Sequence, residues 1–146
     1  VAEVAEDVMT TYHPMANLKN ILLDYEIAPQ TMAFADAPSV HAILRNLASN
    51  ALKFTPRSGK VVISAGTEGD RVVVRVKDTG IGLTAEQLTS LFTVQRGSSR
   101  GTAGEKGTGL GLILVRDLAE LNGGTIAVAA REGRGAVFTL TLPARS

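Results

Sequence analysis

The chain has 146 residues, of which 45% are hydrophobic, and its formal net charge at pH 7 is +1. This composition predicts one globular domain with its own core, and the near-zero charge indicates neither a nucleic-acid-binding surface nor an acidic partner. The absence of cysteine excludes disulfides and thiolate metal sites and is compatible with a reducing cytoplasm. No apolar run approaches the length of a membrane span, and no signal peptide is visible.

The first part of the chain predicts a helix followed by two strands. Residues 1–20 carry apolar side chains near one helical face, and Pro14 is expected to kink or end the regular part of this helix. Because the sequence starts in what reads as the middle of a helix, we expect it to be a piece of a longer protein. Residues 21–27 and 31–35 predict two strands paired through a short turn. Two candidate caps of the next helix follow, Asp36 and Ser39.

Residues 39–54 predict the most informative helix of the chain. At about 100° per residue, its aliphatic side chains cover one continuous arc. Asn46, Asn50 and Lys53 fall together on a narrow arc beside it, and Phe54 lies at the border between the two. Asparagine is a poor helix former, so two asparagines one turn apart indicate a function. The alternative is a pair of amides that are hydrogen-bonded to nearby backbone.

A hairpin is predicted over residues 60–65 and 71–77, and its second strand alternates valine with basic residues. Asp78 lies in phase with the valines, and a carboxylate on the buried side of a strand needs a hydrogen-bond donor. Gly80 and Gly82 follow and suit a close approach of backbone to a ligand. The alternative interpretation of Asp78 is a turn cap at the end of the strand.

The tripeptide at residues 78–80, Asp-Thr-Gly, is also typical of aspartic proteases. Those enzymes need two aspartates that share a proton, on an all-β fold. This sequence has one copy and alternates helix with strand, so a protease would require a homodimer.

Glycines cluster at residues 101–112, where a polar loop becomes an apolar helix. The first amide groups of a helix lack carbonyl partners and lie at the positive end of its dipole, so this stretch predicts a phosphate site. Residues 93–107 would form a lid whose cations, Arg96, Arg100 and Lys106, close over the phosphates. The stretch fails the dinucleotide fingerprint, which needs a preceding strand, and the P-loop, which needs Gly-Lys-Ser/Thr. A lid or hinge without a ligand stays open as an alternative.

The remaining elements complete an α+β fold. A short helix is predicted over 84–92, a longer one over 108–122, and closing strands over 125–130 and 136–142. We expect a two-layer α/β sandwich, with about three helices on one face of a mixed, mostly antiparallel sheet of about five strands or more.

Four short motifs stand in order along the chain. Residues 45–56 read Arg-Asn-Leu-Ala-Ser-Asn-Ala-Leu-Lys-Phe-Thr-Pro, 78–82 read Asp-Thr-Gly-Ile-Gly, 91–92 read Leu-Phe, and 106–112 read Lys-Gly-Thr-Gly-Leu-Gly-Leu. They resemble the N box, first glycine box, F box and second glycine box of the catalytic, ATP-binding domain of two-component sensor histidine kinases. That domain has the Bergerat fold of the gyrase–chaperone–kinase–mismatch-repair ATPases. The resemblance covers nearly all of residues 1–146, which we interpret as one catalytic domain.

The resemblance implies a role for each matching residue, with ATP and Mg²⁺ as cofactors. Asn50 would bind Mg²⁺ through its side-chain oxygen, and Asp78 would accept a hydrogen bond from the adenine amino group. Asn46 and Lys53 would lie near the phosphates and act with Asn50 in catalysis, and Phe54 would pack against adenine. The other implied nucleotide-binding residues are Gly80, Gly82, Lys106, Gly107, Thr108, Gly109, Leu110, Gly111 and Leu112.

Asn46 separates branches of this superfamily. Members that hydrolyse ATP for conformational work have a glutamate there that activates water, and asparagine cannot act as that base. The γ-phosphoryl would therefore pass to a better nucleophile, which in this family is a histidine on a dimerising helical hairpin. A serine-kinase branch and a pseudokinase module that relays conformation are the alternatives.

The accepting histidine is expected upstream of this sequence. Its two histidines, His13 and His41, lack the surroundings of the family's acceptor, so the chain alone is expected not to phosphorylate itself. The implied partners are an upstream dimerisation and histidine-acceptor domain, a second copy in the full protein, and a response regulator receiver domain. The resemblance implies a cytoplasmic domain and leaves open whether its parent is anchored in a membrane.

Overall fold

Three helices pack on one face of a five-stranded sheet in the part of the chain that the computed structural model describes, residues 2–27, 35–80, 111–130 and 135–144. In chain order the elements are α1 (Ala2–Leu18), β1 (Leu22–Ile27), α2 (Ala37–Phe54), β2 (Lys60–Glu68), β3 (Arg71–Asp78), α3 (Gly111–Leu121), β4 (Thr125–Ala130) and β5 (Ala136–Pro143). The predicted two-layer α/β sandwich is confirmed.

The sheet has the strand order β1-β2-β3-β5-β4. Strand β1 runs parallel to β2, and every other neighbouring pair is antiparallel. The predicted hairpin of β2 and β3 is confirmed, with Glu68 opposite Arg71 and Gly69 in the turn at a φ of 64°. The predicted strand over 31–35 falls largely on residues 28–34, which lie outside the described residues. The described partner of β1 is β2, and the parallel pairing is possible because α2 makes the crossover between them.

One cluster of buried side chains joins the two layers. The predicted arc of α2 is buried to within 1% exposure at Ile43, Leu44, Leu47, Ala48 and Ala51. The predicted alternation in the central and closing strands is also confirmed, because the inward side chains are at most 2% exposed at Val72, Val74, Val76, Phe138, Leu140 and Leu142.

The predicted helix over residues 1–20 is present as α1, and of the two expectations for Pro14, a kink or an end, the end does not occur. The helix continues to Leu18, and Ala16 beyond the proline is fully buried. The end is set by a Schellman motif, in which the Ile21 amide donates to the Ala16 carbonyl at 2.9 Å and Asn20 takes a φ of 52°. Burial beyond the proline offsets the one backbone hydrogen bond that proline cannot make.

The start of α2 has the predicted cap, and α3 ends close to the predicted position. Asp36 is the N-cap of α2, and its carboxylate accepts from the Ser39 amide at 3.0 Å and from the Ser39 hydroxyl at 2.7 Å. Helix α3 ends in a Schellman motif with Gly123 at a φ of 74°. The predicted helix over 84–92 and the lid over 93–107 lie outside the described residues.

None of the helices in the described ranges combines the length and the apolar character needed to cross a membrane.

Candidate functional site

The amide-bearing edge of α2 lies where the core meets the surface. Asn46, Asn50, Lys53 and Phe54 are all half-buried, whereas the aliphatic arc beside them is fully buried. Two amides, an ammonium group and an aromatic ring therefore share one border of a helix that the core fixes in place.

The two asparagines have different surroundings. The Asn46 amide nitrogen donates to the Ala42 carbonyl one turn earlier, at 2.8 Å. The alternative of a backbone-bonded amide thus describes Asn46, and this bond directs its side-chain oxygen away from the helix backbone. Within the described ranges, no hydrogen bond joins the Asn50 amide to another residue. The Asn50 oxygen is therefore the better candidate for binding a hard cation.

The last turn of α2 pairs a cation with an aromatic ring. The Lys53 ammonium nitrogen lies over the Phe54 ring, 4.9 Å from its centroid. This distance is within the range of a cation–π contact. A ring and an ammonium in one place can serve a ligand with a flat apolar part and an anionic part.

Asp78 is the one buried carboxylate among the described residues, at 6% exposure. Its Oδ1 atom accepts from the Gly80 amide at 2.8 Å and from the Ala136 amide at 3.3 Å. The bond from Gly80 is the predicted turn cap, so Asp78 caps the turn and also keeps a second oxygen for another donor. Burial raises the pKa of Asp78 above its ordinary value, and the two backbone bonds act in the opposite direction.

Three elements meet at this carboxylate because two glycines allow close approach. A Cβ at Gly80 would collide with the carbonyl oxygen of Phe54, so the end of α2 touches the segment after β3. A Cβ at Gly135 would collide with the Asp78 carbonyl, and Gly135 has a φ of +80°. The start of β5 therefore packs directly on the end of β3.

Gly135 and Ala136 are the contributors that sequence reasoning missed. The register places Ala136 opposite Asp78 across the sheet, which brings its amide to the carboxylate. The available signal was a glycine directly before a strand, but nothing local said which strand it would meet.

The other residues predicted to bind the nucleotide are mostly outside the described part of the chain. Gly82, Lys106, Gly107, Thr108, Gly109 and Leu110 lie there. Helix α3 begins at Gly111, and Leu112 is half-buried and packs against the core. The structure thus brings Phe54, Asp78 and Gly80 together, and it leaves the second glycine box as a prediction.

No group of three or more His, Cys, Asp or Glu side chains suited to a metal occurs among residues 2–27, 35–80, 111–130 and 135–144. A cation held by several protein carboxylates is therefore not built from these residues. The Asn50 oxygen fits Mg²⁺ instead, because that ion accepts one or two protein oxygens and keeps water and phosphate oxygens as its other ligands.

Comparison with known proteins gives relatives along the whole chain. Residues 35–146 match the family described as histidine kinase-, DNA gyrase B-, and HSP90-like ATPase. The chain is 42% identical to an uncharacterised sensor-like histidine kinase of Rhizobium meliloti over 75% of its own length and 21% of that protein's. It is 36% identical to the circadian input-output histidine kinase CikA of Synechococcus elongatus, over 98% of its own length and 20% of that protein's. The chain thus spans about a fifth of these curated relatives.

Solved structures of similar fold include the histidine kinase ThkA and the protein ShkA. The nucleotide-free catalytic domain of ThkA superposes with a TM-score of 0.84 at 28% identity, over 98% of this chain and 91% of that one. Full-length ShkA in complex with AMPPNP superposes with a TM-score of 0.83 at 30% identity, over 99% of this chain and 30% of that one.

Proposed function

Because the chain belongs to the histidine kinase-, DNA gyrase B-, and HSP90-like ATPase family, we propose that it binds Mg-ATP and transfers the γ-phosphoryl to a histidine on a separate dimerisation domain. The family resemblance of the four sequence motifs is confirmed by the histidine kinase relatives. The phosphotransfer step and the residues that perform it are our proposal.

The buried carboxylate of Asp78 is the observation that carries this proposal. Two backbone amides hold Oδ1, so the acceptor has a fixed direction before any ligand arrives. An adenine amino group is a donor and complements that acceptor, whereas the corresponding edge of guanine offers another acceptor. Phe54, whose carbonyl abuts Gly80, would supply an apolar surface for the base.

The edge of α2 would serve the triphosphate. Asn50 would coordinate Mg²⁺ through its side-chain oxygen. The bound cation would offset the negative charge of the phosphate oxygens. Lys53 would add a positive charge near the phosphates. The glycine-rich residues 106–112 would complete the phosphate site at the start of α3.

Asn46 would favour phosphotransfer over hydrolysis. An amide cannot accept a proton from water at neutral pH. The Asn46 nitrogen is also engaged by the Ala42 carbonyl, which supports a positioning role for its oxygen. The γ-phosphoryl then remains available for a histidine nucleophile.

The partners follow from the histidine kinase relatives. We propose an upstream dimerisation and histidine-acceptor domain, a second copy of the full protein, and a receiver domain of a response regulator. We also propose that the domain is cytoplasmic.

Calorimetric titration with AMPPNP, with and without Mg²⁺, tests nucleotide binding. Wild-type protein is expected to bind AMPPNP more tightly when Mg²⁺ is present. In Asn50→Ala this increase in affinity should be smaller by roughly tenfold or more, because the cation loses its protein oxygen. The matched control is Asn17→Ala, the same substitution at an exposed position of α1, which should bind as wild type.

Two outcomes would contradict the proposal. Failure of the wild type to bind Mg-AMPPNP would exclude nucleotide binding. Binding without phosphotransfer to a supplied histidine hairpin would instead favour a pseudokinase that relays conformation.

A further inference from the structure

Lys19 is a buried lysine outside the set of residues discussed so far. It follows α1, in the turn before β1, and its exposure is only 6%. Lysine is almost never buried to this extent unless its ammonium group has defined partners. It also lies outside residues 35–146, the segment that matches the family.

The Lys19 ammonium contacts the end of α2. It donates to the Leu52 carbonyl at 2.9 Å and lies 3.5 Å from the Lys53 carbonyl. The last four carbonyls of a helix have no partner within the helix, and they form the negative end of its dipole. The hydroxyl of Thr55 takes the preceding one, the Ala51 carbonyl, at 2.7 Å. A buried cation thus caps the C-terminal turn of α2.

That turn carries the site. Lys53 and Phe54 belong to it, Asn50 precedes it by one turn, and the Phe54 carbonyl abuts Gly80, whose amide holds Asp78. A shift of the turn would move the ammonium, the ring and the backbone next to the base acceptor together. The contact chain runs from Lys19 to the carboxylate with no gap.

The backbone of the α1–β1 turn is hydrogen-bonded to the loop that follows α2. The Ser58 amide donates to the Lys19 carbonyl at 3.1 Å, and the Arg57 guanidinium donates to the Leu18 carbonyl at 3.0 Å. The Leu22 amide donates to the Gly59 carbonyl at 3.0 Å. The loop after α2 and the end of α1 therefore form one hydrogen-bonded unit, with Lys19 as its buried member.

We propose that Lys19 is a positioning residue for the nucleotide site, which acts by fixing the last turn of α2. The inference rests on the proposed nucleotide function and extends it to a residue in the turn after α1. The role requires the charge and reach of the side chain, so arginine should replace it in part and an aliphatic chain should not.

The test measures Mg-AMPPNP affinity of Lys19→Met and Lys19→Arg at a temperature where circular dichroism shows each variant folded. Lys19→Met is expected to weaken binding roughly tenfold, because the last turn of α2 loses its buried cap, and Lys19→Arg to stay within roughly threefold of wild type. The control, Arg57→Ala, removes an exposed bond to the same turn and should bind within roughly twofold of wild type.

A folded Lys19→Met variant with wild-type affinity would overturn the proposal, since a merely structural lysine changes stability alone. Should Lys19→Met fail to fold, Lys19→Gln replaces it, with weakened binding expected and wild-type affinity contradicting the proposal. If wild type itself does not bind Mg-AMPPNP, the proposed function fails. If wild type binds Mg-AMPPNP and both Lys19→Met and Lys19→Gln bind it with wild-type affinity, the proposed role of Lys19 is wrong and the proposed function stands.

Discussion

In the proposed function, Asp78 would serve a ligand at a cost to the stability of the fold. Its burial raises the pKa of the carboxyl, so the folded chain holds this proton to a higher pH than the unfolded chain does. Between the ordinary pKa of an aspartate and the raised folded value, the native state binds more protons. The contribution of Asp78 to stability therefore falls as pH rises through that window and is constant above it.

Replacing Asp78 with Asn should separate stability from binding. The neutral amide avoids the burial of a charge, and its oxygen can still accept from Gly80 and Ala136. We expect the melting temperature of Asp78→Asn, relative to wild type, to rise as pH increases from about 4 through the raised pKa and then to level off. Differential scanning calorimetry across this pH range measures it.

The same substitution should weaken AMPPNP binding roughly a hundredfold, because an amide N–H would face the donor on adenine. Glu26→Gln, the same carboxylate-to-amide change at an exposed site of β1, is the control and should alter neither quantity. A pH-independent difference in melting temperature for Asp78→Asn would show that its charge is not penalised by burial.

At the scale of elements, the end of α2 contacts the segment after β3 because Gly80 has no Cβ. We expect Gly80→Ala to weaken AMPPNP binding by roughly tenfold or more, because the new methyl group must displace the Phe54 carbonyl or the Asp78 carboxylate. Isothermal titration gives the affinity, and chemical denaturation gives the stability.

Gly69→Ala is the matched control for this change. Gly69 lies in the β2–β3 turn at a φ of +64°, with no atom near the position of an added Cβ. The substitution should cost roughly 1–2 kcal/mol through backbone strain and leave the affinity unchanged. Equal loss of affinity in both variants would mean that general destabilisation, and not the α2–β3 contact, weakens binding.

Elements with a local signal were predictable from the sequence, and contacts between distant elements were not. The arc of α2, the Asp36 cap and the valine alternation of β3 follow from spacing alone. The parallel pairing of β1 with β2 depends on a crossover, which no local pattern encodes. For the same reason the sequence left open whether Pro14 kinks or ends α1, since the buried Ala16 beyond it depends on tertiary packing.

The residues of the candidate site also fall into those with a local sequence signal and those without one. Asp78 stood out because a carboxylate in phase with valines conflicts with its surroundings, and Asn46 and Asn50 because asparagine is a poor helix former. Lys19 and Ala136 gave no such conflict. A lysine in a turn is normally exposed, and the amide of a strand residue is normally bonded to a neighbouring strand. The roles of Lys19 and Ala136 are therefore visible only from their partners in the structure.

At the scale of the whole molecule, nucleotide binding and phosphotransfer should be separable. We expect this chain, incubated with γ-labelled ATP and Mg²⁺, to acquire no acid-labile phosphate. His13 is exposed in the second half of α1 and His41 is half-buried near the start of α2, and neither lies in the family's acceptor motif. Addition of a histidine hairpin from the full-length protein should yield labelled hairpin.

Autoradiography after gel electrophoresis under alkaline conditions, which preserve phosphohistidine, measures both reactions. Label on the chain alone would contradict the assignment of the acceptor to another domain. Asn50→Ala is the control, and it should label the hairpin more slowly than wild type does.

The late position of β5 in the chain has a consequence for synthesis. A nascent chain that ends before residue 135 already contains Asp78, but it lacks the Ala136 amide and the strand that separates β3 from β4. In the proposed function, the acceptor for the base would therefore stay incomplete until residue 136 has left the ribosome. A product truncated before residue 135 would keep the Gly80 bond to Asp78 and lack the Ala136 bond, so it would hold the proposed acceptor less firmly.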